Sequence, residues 1–157
     1  MARRARNSRP LIDLSLRGRA KRAIAASLHK RLVQLLGRAM AIAGVGDAEL
    51  SLTLTDDREM RALNRTFAQE DHPTDVLSFS QREDRFANQL LGDIVISLDT
   101  AKRQAKSAQR PLLDELLHLA VHGLAHLQGL DHRTKREEKK MFAYEAKLRA
   151  QVLAKKI

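Results

Sequence analysis

The sequence has no cysteine and no tryptophan, and only 3% of its residues are aromatic. The absence of cysteine excludes disulfide bonds, a thiol nucleophile and thiolate metal ligands, and it is compatible with a reducing compartment. The low aromatic content disfavours nucleic-acid recognition by bases stacked across an aromatic sheet. No apolar run is long enough for a transmembrane helix or for a secretory signal, so we expect no association with membranes.

Acidic residues are nearly missing from the first quarter of the chain. Residues 1–40 contain 11 Lys and Arg but one acid, Asp13, whereas the remaining 18 basic and 18 acidic residues cancel. A basic segment of this kind favours a polyanionic partner, of which nucleic acid is the commonest. Two alternatives stay open: a solvated arm followed by an Arg-rich helix face, and a mitochondrial transit peptide, which the regular pattern of the following residues disfavours.

Apolar residues recur with the period of a strand in some segments and of a helix in others. Strands are predicted at 11–16, 49–55, 74–80 and 91–97, and helices at 18–42, from 56 to about 67, from 99 or 100 to about 108, at 111–128 and from 134 to about 153. The strand at 74–80 has apolar residues on both faces, which predicts an interior position in the sheet. We expect a polar turn at 69–73 and a charged, hairpin-like connection at 81–90.

This order of elements predicts an α+β fold. Residues 11–157 are expected to form a single domain, with a mixed sheet of about four strands and about five helices, after a flexible basic arm at 1–10. The helix at 111–128 is apolar nearly all round, which is typical of a buried central element. Helix N-caps are predicted at Asp56 with Glu59, at Asp99 or Thr100, and at Thr134 with Glu137. The predicted buried residues of the last helix are Met141, Tyr144, Ala146, Leu148 and Val152.

Four of the six histidines lie between residues 118 and 132. His122 and His126 are four residues apart, so a helix projects both from one face about a turn apart. Gly129 is suited to the left-handed conformation that ends a helix, and the turn would return His132 to the same face. The pattern predicts three ligands of a tetrahedral zinc ion in a cleft at the C-terminal end of the central helix, with the fourth position left to water or substrate. Other divalent metals are alternatives.

Two neighbouring residues are candidates for supporting roles. His118 lies one turn before His122, and it either contacts a metal ligand or packs in the core. Asp131 either orients a ligand, acts on metal-bound water or only shapes the turn before His132. The same histidine spacing occurs in metzincin proteases, where a glutamate after the first histidine is the general base. Gly123 occupies that position here, which argues against proteolysis.

Three blocks of the sequence resemble the YbeY endoribonuclease (rRNA maturation factor) family. Residues 122–132, HGLAHLQGLDH, are similar to the family signature HGxLHLxGYDH. Residues 73–79, PTDVLSF, are similar to one family strand, and residues 91–96, LGDIVI, to another, LGDIVIS. The blocks have the family's order and spacing, and the similarity covers about residues 45–150.

The resemblance implies an α+β endoribonuclease with one zinc ion held by His122, His126 and His132. It implies single-strand-specific cleavage in rRNA processing, with roles in maturation of the small-subunit rRNA 3′ end and in ribosome quality control. It also implies a cytoplasmic protein whose partners are ribosomal RNA and the small ribosomal subunit. Two alternatives stay open: a zinc-stabilised ribosome-assembly or RNA-binding factor without cleavage activity, and another zinc hydrolase.

One departure from the family pattern concerns RNA contact. Family members commonly carry Tyr-Arg before the PTDVLSF block, and the resemblance implies that this arginine contacts RNA. The corresponding pair is Phe67-Ala68 here. Arg65, one helical turn earlier, is the candidate replacement. Further candidate contacts to RNA phosphates lie in the basic N-terminal segment, at Arg17, Arg19 and Arg22.

Overall fold

The computed structural model describes residues 11–67, 74–80 and 90–154. Its strands are β1 (Leu11–Leu16), β2 (Glu49–Thr55), β3 (Val76–Ser80) and β4 (Leu90–Ser97). Its helices are α1 (Ala26–Ile42), α2 (Asp57–Phe67), α3 (Leu98–Ser107), α4 (Leu112–Leu127) and α5 (Lys135–Ala154), with a short 3-10 helix at Gly18–Arg22. The predicted α+β class is confirmed by these elements. The arm predicted at 1–10, the turn at 69–73 and all but the last residue of the connection predicted at 81–90 lie outside the described residues, and Leu90 is the first residue of β4.

The strands form one mixed sheet in the order β1-β2-β4-β3. β1, β2 and β4 are parallel, whereas β3 runs antiparallel to β4. β3 is therefore an edge strand, and the predicted interior position is wrong. Its apolar pattern arises because helices contact both faces of the strand. On one face the Ser78 hydroxyl donates to the Gly123 carbonyl of α4. On the other face Phe79 packs edge-on against Phe67 of α2. A strand that is packed on both faces carries apolar residues on both faces, whether it lies in the interior or at the edge of a sheet.

One face of the sheet carries the main core. Leu50, Leu52 and Leu54 of β2 are buried while Ser51 and Thr53 between them are partly exposed, as the alternation in the sequence predicts. Helices α1, α4 and α5 pack together on this face and share one apolar cluster with the leucines. Because α4 contacts α1, α3, α5, β3 and β4, its predicted central position is confirmed. Among the described residues, no helix has the length and apolar character needed to cross a membrane.

The helix predicted at 18–42 is interrupted. Residues 18–22 form the 3-10 helix, and α1 begins only at Ala26. The Arg19 backbone N–H donates to the Asp56 carboxylate at 3.0 Å. Gly18 beside it has a φ of +57°, a left-handed conformation that glycine adopts readily. These contacts hold the segment against the end of β2, so a continuous helix cannot form there.

The predicted helix caps are confirmed in part. Asp56 and Thr134 each accept a hydrogen bond from the backbone N–H three residues later, at 3.0 and 3.1 Å, as N-caps do. The prediction for α3 is wrong, because its N-cap is Ser97 rather than Asp99 or Thr100. The helix starts directly at the end of β4, so the last residue of the strand is also the cap.

Candidate metal centre

Three imidazoles meet at the C-terminal end of α4. The ring centroids of His122 and His126 are 4.7 Å apart. The His132 ring lies 5.8 Å from that of His122 and 5.1 Å from that of His126. One ligand nitrogen from each residue lies within 4.8 Å of the other two. The structure thus brings together the three residues that the sequence pattern selects as metal ligands.

The turn after α4 places His132 beside the helix. Gly129 has a φ of +93°. Its N–H donates to the His126 carbonyl at 2.9 Å, and the Leu130 N–H donates to the Ala125 carbonyl at 3.1 Å. This pair of bonds is the Schellman arrangement of a helix C-terminus. The predicted helix-ending role of Gly129 is confirmed, since other side chains are strained at this φ.

The donor set fits a divalent metal ion such as zinc. Zn–N bonds of about 2.0–2.1 Å place two tetrahedral ligands roughly 3.3 Å apart, and one nitrogen from each histidine already lies within 4.8 Å of the other two. His122 and His126 are partly buried, whereas His132 is exposed. Three protein ligands with a solvent-facing side leave one coordination position for water or substrate, as catalytic sites do.

Glu145 of α5 supports the His122 ring. Its carboxylate lies 2.5 Å from the His122 Nδ1, and Glu145 is only 1% exposed. A carboxylate at Nδ1 holds the proton on that nitrogen and leaves Nε2 as the metal-binding atom. The same hydrogen bond raises the pKa of His122, against the opposing effect of burial. Glu145 is therefore placed to orient a metal ligand.

Sequence reasoning missed Glu145 and selected its neighbour Ala146 as buried, which is wrong because Ala146 is exposed. The buried residues along this side of α5 are Met141, Glu145, Leu148 and Val152. Their separations of four, three and four residues are those of an apolar helix stripe. A glutamate within such a stripe was the available signal, because a buried carboxylate needs a partner.

His118 lies one turn before the ligand pair and is partly buried. Burial lowers the pKa of His118, and the nearby Arg149 guanidinium lowers it further. Its Nδ1 is buried without a hydrogen-bond partner among the described residues. The neighbouring ion pair of Arg110 with Glu115, at 2.8 Å, belongs to the same set of polar groups between α4 and α5.

Asp131 shapes the turn that carries His132. Its carboxylate accepts from the His132 N–H at 2.8 Å and pairs with Arg133 at 2.9 Å. The hydrogen bond from His132 holds the pKa of Asp131 below its usual range. These contacts favour the turn-forming role, while Glu145 is the carboxylate that is hydrogen-bonded to the ring of a candidate ligand, His122.

Gly123 lies against the sheet. A Cβ at this position would come within 2.9 Å of the Ile94 Cγ2 and 3.0 Å of the Ser78 Oγ. Interiors are packed too densely to absorb such overlaps freely, so the close approach of α4 to β3 and β4 requires glycine. The position at which metzincins carry their general base therefore faces the sheet and has no room for a side chain.

Three of the candidate RNA contacts lie beyond the carboxyl ends of the parallel strands. Arg17, Arg19 and Arg22 are exposed and follow the carboxyl end of β1, which is parallel to β4. The C-terminal end of α4 instead approaches the amino end of β4, where a Cβ at Gly92 would contact Leu127. Arg17 contacts Leu54 and Glu59, and the Arg19 backbone N–H donates to Asp56, so the structure engages these two arginines with neighbours other than the histidines.

Arg65 is exposed on α2 and lines a shallow cleft with Asp57, Arg58 and Arg61. The next turn of α2 ends at Phe67, against the β3 face that points away from α4. Arg65 and the histidines therefore lie on opposite faces of the sheet. The departure from the family at residue 68 lies outside the described residues.

Comparison with known proteins identifies the family. The family model described as Endoribonuclease YbeY matches residues 17–153. An Endoribonuclease YbeY of Aquifex aeolicus is 47% identical over 104 residues, which cover 66% of this chain and 69% of that protein. One of Thermus thermophilus is 50% identical over 108 residues, which cover 68% and 78%. A solution structure of a Thermotoga maritima protein matches with a TM-score of 0.63 at 26% identity, over 90% of this chain and 89% of that one.

The match to the family model includes β2, α4 and all three clustered histidines. The resemblance predicted from three sequence blocks is therefore confirmed over most of the chain. The chain belongs to the endoribonuclease YbeY family, whose members are enzymes that hydrolyse RNA.

Proposed function

We propose that this protein is a zinc-dependent, single-strand-specific endoribonuclease of rRNA processing. Its proposed roles are maturation of the small-subunit rRNA 3′ end and ribosome quality control, in the cytoplasm, with ribosomal RNA and the small ribosomal subunit as partners. The observation that carries the proposal is the convergence of His122, His126 and His132 in a chain of an endoribonuclease family.

Each of the chain's own groups has a defined task in this proposal. His122, His126 and His132 would hold one zinc ion, which when bound would act as a Lewis acid toward water and phosphoryl oxygens. Glu145 holds the proton of the His122 Nδ1 and thereby directs Nε2 to the ion. The exposed side of His132 leaves space for the RNA backbone. Attack by water and activation of the ribose 2′-hydroxyl are both compatible with this arrangement.

Arg17, Arg19, Arg22 and Arg65 are proposed contacts for RNA phosphates. Arg17, Arg19 and Arg22 follow the carboxyl end of β1, where Arg17 and Arg19 contact Glu59 and Asp56, and Arg65 lies on the sheet face opposite the histidines. They would therefore hold a flanking part of the RNA rather than the phosphate that is cleaved. Contacts of this kind add affinity without sequence information.

The test compares zinc content with cleavage of single-stranded ribosomal RNA. Wild-type protein purified without chelator should contain about one zinc per chain, as an open three-histidine site would hold. His126→Ala should lose zinc and lose cleavage by on the order of 100-fold or more, because the Lewis acid is gone. His29→Ala, a matched change at a partly buried histidine of α1, should alter neither property.

The outcomes separate the proposal from its alternatives. Equal cleavage by wild type and His126→Ala would implicate a contaminating nuclease and refute the assignment. Zinc without cleavage would favour a ribosome-assembly or RNA-binding factor. Freshly purified protein without any metal would contradict the metal site. A zinc peptidase is the weakest alternative, because Gly123 has no room for the glutamate base.

A further inference from the structure

A cavity of about 200 Å³ adjoins the histidine cluster. It is lined by His122, His132, Glu138, Met141, Phe142 and Glu145. Two of these residues are candidate metal ligands, so an occupant of the cavity lies next to the metal position. The other four come from α5, and their spacing places them on one side of that helix. The cavity is thus continuous with the proposed site of RNA cleavage.

Phe142 supplies the solvent-exposed apolar part of this cavity's wall. It is 57% exposed, whereas Met141 beside it is 2% exposed and belongs to the packed interior. A flat aromatic ring that is open to solvent next to a reaction centre offers a face for a planar ligand. Single-stranded RNA presents such ligands, because its unpaired bases stack on aromatic side chains.

The negative charge of the cavity wall favours a nucleobase of RNA over a phosphate group as the occupant. Glu138 and Glu145 both contribute to the wall, and carboxylates repel a phosphate group. Glu145 is committed to the His122 ring at 2.5 Å. Glu138 lies one helical turn before Phe142, and a carboxylate there accepts hydrogen bonds from an amino group on a base edge. Lys139 and Lys140 are exposed on the same turns of α5, and their positive charges attract the phosphates of an RNA backbone that lies nearby.

We propose that this cavity is a subsite for an unpaired nucleobase that carries an exocyclic amino group. The base stacks on Phe142, and its amino group donates to the Glu138 carboxylate. This inference rests on the proposed function, because it takes the substrate to be RNA. A base held in a duplex cannot enter the cavity, so the subsite gives the proposed single-strand specificity a physical cause.

The test measures binding of oligocytidine and oligouridine of matched length, as 2′-O-methyl RNA that resists cleavage, by fluorescence anisotropy. The full-length protein is used as purified. Phe142→Ala should weaken oligocytidine binding about 5–150-fold, the loss expected for one stacked base. Phe142→Trp should restore binding, and Phe142→Leu should not, because leucine lacks a π face. Leu153→Ala, a change at another exposed apolar residue of α5, should have no effect.

A second comparison tests the role of Glu138. Wild type should bind oligocytidine more tightly than oligouridine, because the cytosine amino group donates to a carboxylate and the uracil O4 does not. Glu138→Gln should reduce this preference, since an amide also donates to O4. Equal binding by wild type, Phe142→Ala and Phe142→Leu would overturn the subsite but leave the proposed function intact. Failure of wild type to bind any single-stranded RNA would overturn both.

Discussion

Replacing Glu145 by glutamine tests how strongly α5 controls the metal position. Glutamine keeps the size of the side chain and an oxygen that accepts from the His122 Nδ1. It removes the negative charge that makes the imidazole a better metal ligand. Because Glu145 is 1% exposed and lies 2.5 Å from Nδ1, little solvent is available to compensate for that charge.

The expected effect is a loss of zinc affinity. Carboxylates that hydrogen-bond to metal-binding histidines contribute about 10–100-fold to metal affinity, which corresponds to about 1.4–2.8 kcal/mol. Glu145→Ala should lose more, because zinc binding at Nε2 fixes the proton on Nδ1, where the variant offers no acceptor, whereas the zinc-free ring can adopt the other tautomer. The order of zinc affinity is therefore wild type, then Glu145→Gln, then Glu145→Ala.

Zinc affinity is measured by competition with a chromophoric chelator at mildly alkaline pH, where free imidazole is neutral. The rise in melting temperature on adding zinc is a second readout, because a weaker site stabilises the native state less at a given zinc concentration. Glu115→Gln is the matched control. Glu115 is a buried glutamate of α4, 2% exposed and paired with Arg110 rather than with a ligand histidine. Its replacement should destabilise the metal-free protein and leave zinc affinity unchanged.

Two results would refute this reasoning. Unchanged zinc affinity in Glu145→Gln would mean that the hydrogen bond to His122 does not influence the metal. An equal loss in Glu115→Gln would mean that zinc affinity follows the general stability of the α4–α5 interface, and not the specific contact between Glu145 and the ligand.

Two further predictions concern packing and charge. Gly123→Ala gains about 1 kcal/mol of helix propensity, but its Cβ would lie 2.9 Å from Ile94, so overpacking of about 1–3 kcal/mol cancels or exceeds that gain. Chemical denaturation should show that Gly123→Ala raises the free energy of unfolding when Ile94 is replaced by alanine. The same effect of Gly123→Ala with and without the Ile94→Ala change would contradict the steric argument. Replacing Arg17, Arg19 and Arg22 by glutamine should weaken binding of single-stranded RNA and reduce the slope of log affinity against log salt by about 0.7 per lost phosphate contact. An unchanged slope would exclude these residues from the RNA path.

The histidine cluster could be predicted because its geometry is local. The spacing of His122 and His126 on one helix and the turn at Gly129 are contained in a single stretch of sequence, which obeys helix geometry whatever surrounds it. Glu145 is 23 residues from His122 along the chain. Their contact depends on how α5 packs across α4, and no periodicity within α5 specifies that partner.

The order of strands and helices could be predicted from periodicity, but the position of β3 could not. Apolar residues on both faces of a strand indicate that both faces are packed, but they do not indicate which strands lie beside it in the sheet. The cover comes from α4 at Ser78 and from Phe67 at Phe79, and both arise from the tertiary arrangement. The break before α1 was missed for a similar reason, because it depends on the contact between Arg19 and Asp56 of another element.

The position of His132 on a connector has a consequence for how quickly the site would exchange a bound metal. His122 and His126 are presented by one helix, whose last turn is anchored by a 2.7 Å hydrogen bond from Tyr144 of α5 to Gln128. His132 lies on the short connector that follows, between the Schellman turn and the N-cap at Thr134. Its effective concentration near the ion is therefore high, as in a chelate with a short, constrained arm. We expect release of a bound metal to begin with dissociation of His132 as its connector moves, while His122 and His126 still coordinate the ion and the helices stay folded.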